Sequence, residues 1–363
     1  MEKRLRFHWS MSAAGAHLKG AQARSEQNGI PELAAHVHFC QLAEACGIEH
    51  LLTAFGFHRA DPVALASALG VLTEKVNFLV AARSGVAAPT LFAQQINTIS
   101  ALTNGRVCIN IVAGHSPQEF RYYGDFLSPD ERYDRTDEFL TVLRGFWEGD
   151  GPVHFNGKYY QVEGGILRTP FVSDTRSSPE IYLGGKSERA FELAALHASC
   201  LLTMPEAPET LAPKIQALLR TGTEVGLLVS VLARQSKEEA VTDAYAMIAS
   251  LGSEALKTHR DFRKGSVSEA FNSALALGER EEDWLCPWLW TGAVPYLGAP
   301  SVAIVGSYDA VACAIMEYKR IGVSQFLFMG WPDEAEMSRF GAEVLPRVRA
   351  LETAQSPLVL NKP

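Results

Sequence analysis

The stretch Val76–Val112, VNFLVAARSGVAAPTLFAQQINTISALTNGRVCINIV, decides the fold. It opens on a nearly unbroken apolar run, Val76–Ala81, and closes on a second, Val107–Val112. Between them Thr90–Leu102 carries apolar residues at helical spacing, and Asn104-Gly105 ends the helix. Continuous apolar strands suit a parallel sheet covered by helices on its outer face. A helix between two such strands is the crossover that parallel pairing needs.

The same rhythm extends in both directions. Strands are expected at Leu5–Trp9, Ile48–Thr53, Val76–Ala81, Val107–Val112, Glu180–Leu183, Ser199–Thr203, Val225–Ala233 and Ser324–Met329. Helical patterns follow most of them, at Glu32–Cys46, Pro62–Leu72, Thr90–Leu102, Ser187–His197, Thr210–Arg220, Lys237–Ser250 and Tyr308–Ile321. Eight strand–helix units favour a closed (β/α)8 TIM barrel over an open doubly wound sheet.

The 363 residues fit one such barrel with insertions. One domain is expected over 1–353, with insertions near 150–178 and 253–300 and a loose tail at 354–363. The first insertion contains HFNGKYYQV, His154–Val162, a hairpin with Asn156-Gly157 at its turn. The second, Ser253–Pro300, is charged and then tryptophan-rich, and is expected as a long lid-like loop.

With a net charge of −8, the surface disfavours nucleic acid and anionic membranes. No apolar stretch is long enough to span a bilayer, and no signal-peptide pattern opens the chain. The six scattered cysteines suit reduced thiols in a cytoplasmic protein.

In this barrel, chemistry sits at the carboxyl ends of the strands. That rule selects Trp9 and Ser10, then Phe55, Phe57 and His58, then Ala81 to Ser84. It continues with Ala113 to Ser116, Gly184 to Ser187, Ser230, Trp331 and Asp333. Gly184-Gly185-Lys186-Ser187 joins a strand to a helix and could cradle a phosphate or be an ordinary capped turn. His58 and His115 are either bases or solvated loop residues. Tyr133, in ERYDRTDEF, could be part of a charged helix start. Trp284, Trp288 and Trp290 could line a pocket or pack the insertion onto the barrel.

In order along the chain, several segments resemble the bacterial luciferase-like flavin-dependent monooxygenases, closest to the alkanesulfonate monooxygenase group. They are NFLVAARSGVAAPTLFAQQINTISALTNGR, INIVAGHSPQEF, ERYDRTDEF, FNGKYY, IYLGGKSERAFELA, PWLWTG with SVAIVG, and FLFMGWPDEAEMSRFGAEVLP. The resemblance covers roughly Leu5 to Val348. It implies a cytoplasmic, two-component enzyme that takes reduced FMN from a separate flavin reductase. That enzyme would insert one oxygen atom from O2 into a small organic substrate. Relatives of this kind suggest a homodimer or homotetramer.

Carried over residue by residue, the resemblance puts Ala81 and Ala82 beneath the flavin ring and Asn110 at its polar edge. Ala113 stands where a hydroxyl residue is usual, with His115 beside it. Tyr133 lies near the flavin tail, and Gly185, Lys186 and Ser187 form the phosphate loop. The substrate side departs from the sulfonate enzymes. Leu228 and Ser230 replace an Arg-x-His pair, Leu297 replaces an arginine, and Trp331-Pro332-Asp333 replaces Tyr-Pro-His. A reactive cysteine gives way near His58. The candidates for chemistry are therefore His58, Ser230, Trp331 and Asp333. Trp9, Phe57, Leu228, Trp290 and Leu297 are the candidates for the substrate pocket. With two cationic groups gone, the expected substrate is not an alkanesulfonate. A deazaflavin-dependent hydride-transfer enzyme and a non-catalytic flavin-binding barrel are the alternatives.

Overall fold

A computed structural model describes residues 3–11, 30–112, 114, 116–265, 268–329 and 334–355. Eight parallel strands close a barrel: β1 (Arg6–Ser10), β2 (His50–Thr53), β3 (Asn77–Ala82), β4 (Val107–Val112), β7 (Ile181–Gly184), β8 (Cys200–Thr203), β9 (Glu224–Arg234) and β13 (Val323–Phe328). Each pairs with the next in that order, and β13 returns to β1. The expected (β/α)8 barrel is the fold found, and every expected strand overlaps one of these eight.

Alternation along the strands sorts the side chains. Phe7, Trp9, Phe78, Val80, Ile109, Ile111, Leu201, Leu227 and Phe328 face outward and form one core with the surrounding helices. Leu52, Leu79, Ala81, Cys108, Tyr182, Cys200, Leu202 and Leu327 form a second core inside the barrel. The two sets are offset by one residue, as the two-residue side-chain period of a strand demands. Towards the amino-terminal ends of the strands the interior turns polar, with His8, His50 and Gln325 all buried. Burial pushes both histidines well below the ordinary histidine range, so both rings are neutral at pH 7.

The insertions differ from the sequence reading. β5 (Val153–Asn156) and β6 (Gln161–Gly165) form the expected hairpin, but its loop is four residues, 157–160. Gly157 N–H donates to Tyr160 O at 2.9 Å. The Glu138 carboxylate accepts from the backbone N–H groups of Lys158, Tyr159 and Tyr160, which a two-residue turn would not allow. Ser253–Pro300 is not an irregular loop. The helix starting at Lys237 runs on to Gly265, and a second spans Glu269–Leu277. The charge run Lys257–Lys264 is compatible with a helix as much as with a loop, and charge alone cannot separate the two.

Strands β10 (Trp284–Cys286), β11 (Leu289–Trp290) and β12 (Ala303–Ser307) then extend the sheet beside the upper half of β9. The eleven residues of β9 make this possible. Its lower half pairs with β13 and its upper half, from Ser230, with β12. Among the described residues, no helix is long and apolar enough to cross a membrane.

Candidate active site

A cavity of about 380 Å³ opens at the carboxyl ends of the barrel strands. Its inner walls are mostly apolar, with Leu52, Phe55, Ala81, Leu202, Leu228 and Met329 among them. Asn110 enters this wall from β4, opposite Ala81 on β3 and Tyr182 on β7. It is 5% exposed. Its side-chain oxygen has no hydrogen-bond partner among the described residues. A buried unpaired acceptor costs free energy and is normally explained by a ligand, an ion or water.

An ion pair borders the same cavity. Arg83, just past β3, donates to the Glu119 carboxylate at 2.6 Å, with side chains 7% and 5% exposed. Glu119 also accepts from the backbone N–H of Phe57 at 3.0 Å, which ties the loop after β2 to the cavity wall. Phe55 and Phe120 flank the guanidinium, their ring centroids 4.8 Å and 5.5 Å away. Nε and Nη1 of Arg83 have no partner among the described residues, so the cavity lining carries unpaired donors as well as the Asn110 acceptor. Gly114, after β4, has φ +79°, and a Cβ there would meet Phe120 at 2.3 Å.

At the mouth three helix N-termini converge. Ser128 caps Pro129–Glu148, Ser187 caps Glu188–His197, and Ser268 caps Glu269–Leu277. Pro129, Ser187 and Ser268 all line the cavity, as do the cations Arg132, Lys186 and Arg189. Three positive dipole ends favour an anionic group there, while Asp130 and Glu269 on the same lining and the ion pairs of Lys186 and Arg189 offset much of the cationic charge. The Tyr133 hydroxyl lies 2.9 Å from the Ser187 hydroxyl. Gly185 leaves no room for a side chain, because a Cβ would meet that of Ala190 at 2.5 Å. Lys186 turns to Glu206 at 2.7 Å and to Ser273 at 3.2 Å.

Of the residues the sequence singled out, Ala81, Asn110, Tyr133, Gly185, Lys186, Ser187 and Leu228 come together around this cavity. Ala82 ends β3 beside Ala81 but does not line it. Trp9 belongs to the outward-facing set and is packed against Phe328 and Phe340, away from the cavity. Trp290 is fully buried with Ala240, Ala244 and Ala303, and Leu297 packs on the same cluster. The tryptophan-rich segment thus fixes the insertion to the barrel instead of lining a pocket.

Ser230 is buried and donates to Pro300 O at 3.1 Å, holding a wall residue in place from behind. Phe57 and His58 form an exposed edge-on pair with centroids 5.1 Å apart, outside the cavity lining. Burial and Arg59 push His58 below the ordinary histidine range. Ala113, His115, Trp331 and Asp333 lie outside the described residues. The Arg83–Glu119 pair was the feature hardest to see in advance. Arg83 follows a strand end, but Glu119 lies 36 residues away and only the fold joins them.

A closed parallel barrel with a deep apolar cavity at its strand ends, polar only at named points, is a small-molecule-binding barrel of the enzyme kind. The family model for luciferase-like monooxygenases matches residues 5–325, and the chain belongs to that family. It is a flavin-dependent monooxygenase on that ground, and so an oxidoreductase.

Solved structures share the fold. One is the long-chain alkane monooxygenase LadA, at 20% identity and a TM-score of 0.77, covering 97% of this chain and 92% of the other. A second is the oxygenating constituent of 3,6-diketocamphane monooxygenase from the CAM plasmid of Pseudomonas putida, in complex with FMN. It has 16% identity, a TM-score of 0.65 and coverage of 95% and 98%. A third is the coenzyme F420-dependent tetrahydromethanopterin reductase from Methanopyrus kandleri, at 19% identity, a TM-score of 0.66 and coverage of 95% and 99%. At such identities the likeness is one of fold.

Proposed function

We propose that this protein is the oxygenating half of a two-component system. It binds reduced FMN delivered by a separate flavin reductase and transfers one oxygen atom from O2 to a small organic substrate. The observation that carries this reading is the polarity gradient of the cavity. A largely apolar cavity with one unpaired amide oxygen, at Asn110, opens to a mouth of three helix N-termini. A ring with a polar edge and a phosphate tail has that distribution of polarity.

Asn110 would accept a hydrogen bond from the ring edge, and Arg83 would supply donors from the same lining. Ser187, Tyr133 and the loop at Gly185 would hold the phosphate. Ala81, Leu202 and Leu228 would keep water from the ring faces. Bound reduced FMN would supply the electrons that activate O2, one oxygen atom going to substrate and the other to water.

On the substrate side, Leu228 and Met329 make an apolar wall. A sulfonate would find no cationic pair on β9, where Leu228 and Ser230 stand. Losing two charge-assisted hydrogen bonds costs on the order of ~1.5–3 kcal/mol each. The substrate is therefore neutral or cationic with an apolar body, and an alkanesulfonate is disfavoured.

The test has two stages. Equilibrium titration should show FMN binding with a preference over riboflavin and over a deazaflavin. Addition of a flavin reductase, reduced nicotinamide and candidate amines or thioethers should then give substrate-dependent oxygenated product. Tight deazaflavin binding with no FMN binding would overturn the cofactor, and efficient desulfonation of alkanesulfonates would overturn the substrate class.

A further inference from the structure

Cys108 lies two residues before Asn110 on β4, so it sits one layer deeper inside the barrel, about 7 Å towards the floor. There three elements bring one ligand atom each to a common point. Nε2 of His50, on β2, is 3.6 Å from Sγ of Cys108. That sulfur is 3.7 Å from Oε2 of Glu180, the residue before β7. The carboxylate oxygen is in turn 3.9 Å from Nε2 of His50. A tetrahedral ion held at about 2.0 Å by nitrogen and oxygen and about 2.3 Å by sulfur keeps such atoms roughly 3.3–3.6 Å apart. The His50–Glu180 edge has to contract by about 0.6 Å and the two edges to sulfur by about 0.1–0.2 Å.

The hydrogen bonds behind His50 set its tautomer. Gln325 donates its amide N–H to Glu224 at 2.9 Å, so its oxygen is the atom that faces His8. Nε2 of His8 then carries the proton it donates to that oxygen, at 2.8 Å. This leaves Nδ1 of His8 as the acceptor for Nδ1–H of His50, at 2.9 Å. Nε2 of His50 is left with a bare lone pair, aimed at Cys108. Metal-bound histidines are built in this way, one nitrogen on the ion and the other donating to a fixed acceptor.

We propose that the floor of the barrel binds a zinc-class divalent ion through His50 Nε2, Cys108 Sγ and Glu180 Oε2. The Tyr182 hydroxyl, 3.2 Å from that carboxylate oxygen, or a water fills the fourth place. The imidazole, thiolate and carboxylate set suits zinc over magnesium or calcium. On binding, the Cys108 S–H bond breaks, its proton passes to solvent and the sulfur bonds the ion. Arg176, whose Nη1 lies 3.3 Å from Sγ, swings off the sulfur. Arg6 Nη1 bridges both carboxylate oxygens, 2.8 Å from Oε1 and 3.0 Å from Oε2, and must withdraw to Oε1 as the ion takes Oε2. Two nearby guanidiniums make the centre weaker than a four-ligand structural zinc site. Its position at the amino-terminal ends of the strands gives it a role in stability, tying β2, β4 and β7 together apart from the flavin cavity.

Cobalt tests the geometry directly. The full chain, stripped with a chelator and kept reduced, is titrated with Co2+ alone. One equivalent should bind with a thiolate-to-cobalt charge-transfer band and the intense visible bands of a tetrahedral centre, and Zn2+ should displace it. Zn2+ should also raise the Tm. Cys108→Ser should lose the charge-transfer band and the Tm shift, while Cys313→Ser, at an exposed cysteine, keeps both. If circular dichroism shows Cys108→Ser misfolded, Glu180→Gln takes its place and should bind Co2+ at least about tenfold more weakly. No charge-transfer band in the wild type, its survival in folded Cys108→Ser, or unchanged affinity in Glu180→Gln would each overturn the site.

Discussion

At the scale of single residues, the cavity wall depends on pairs that fail when halved. Removing the Glu119 charge leaves Arg83 buried beside two aromatic rings with no counter-ion. Glu119→Gln should therefore lower the unfolding free energy by about 3–5 kcal/mol, measured by chemical denaturation. Asn110→Leu fills the same space without the acceptor. It should weaken flavin binding about tenfold, read by fluorescence titration, with little loss of fold stability.

Glu224 predicts a pH response. Burial alone would raise its pKa, but Lys3, Ser324, Gln325 and Arg6 together hold it down at about 2, against an ordinary value of 4.5. A depressed carboxylate contributes its stability fully above about 4.5 and loses it as the pH falls towards about 2. Thermal melts of wild type should fall across that window, and Glu224→Gln should flatten this part of the profile.

At the scale of elements, the loop between β7 and the helix Glu188–His197 is the part most exposed to a small change. Gly185→Ala drives a methyl to 2.5 Å from Ala190, so the loop must move off the helix start. The expected result is a loss of the FMN-over-riboflavin preference, because riboflavin lacks the phosphate. Equal weakening of both ligands would assign Gly185 to packing alone. The long helix from Lys237 and the hairpin of β10 and β11 act differently. They carry Trp290 into a closed cluster and fix the insertion to the upper half of β9, so β9 can present Leu228 to the cavity.

At the scale of the whole molecule, the barrel separates two interiors. The upper one is an apolar cavity, and the lower one is a hydrogen-bonded polar floor. A ligand that binds only the folded cavity must stabilise the fold by mass action, about 2.7 kcal/mol at a hundred times its Kd. FMN should therefore raise the Tm in a concentration-dependent way. Asn110→Leu should shift that dependence to higher FMN.

The sequence by itself determined the barrel. Eight short strands with helical runs between them leave few other ways to bury their apolar faces, and each expected strand lies within a residue or two of the one found. Strand ends and capped turns, which are local features, also marked Gly185, Lys186 and Ser187, while Asn110, Tyr133 and Leu228 were reached as site residues only through the family resemblance. Tertiary structure alone decided the rest. Trp9 shares the parity of Leu5 and Phe7 in the alternating run LRFHWS, but which of the two strand faces meets the helices was settled only by closure of the barrel. Trp290 and Ser230 were assigned by an unforeseen sheet extension, and Glu119 meets Arg83, as His50 meets Cys108 and Glu180, only because the closed barrel brings distant strands together.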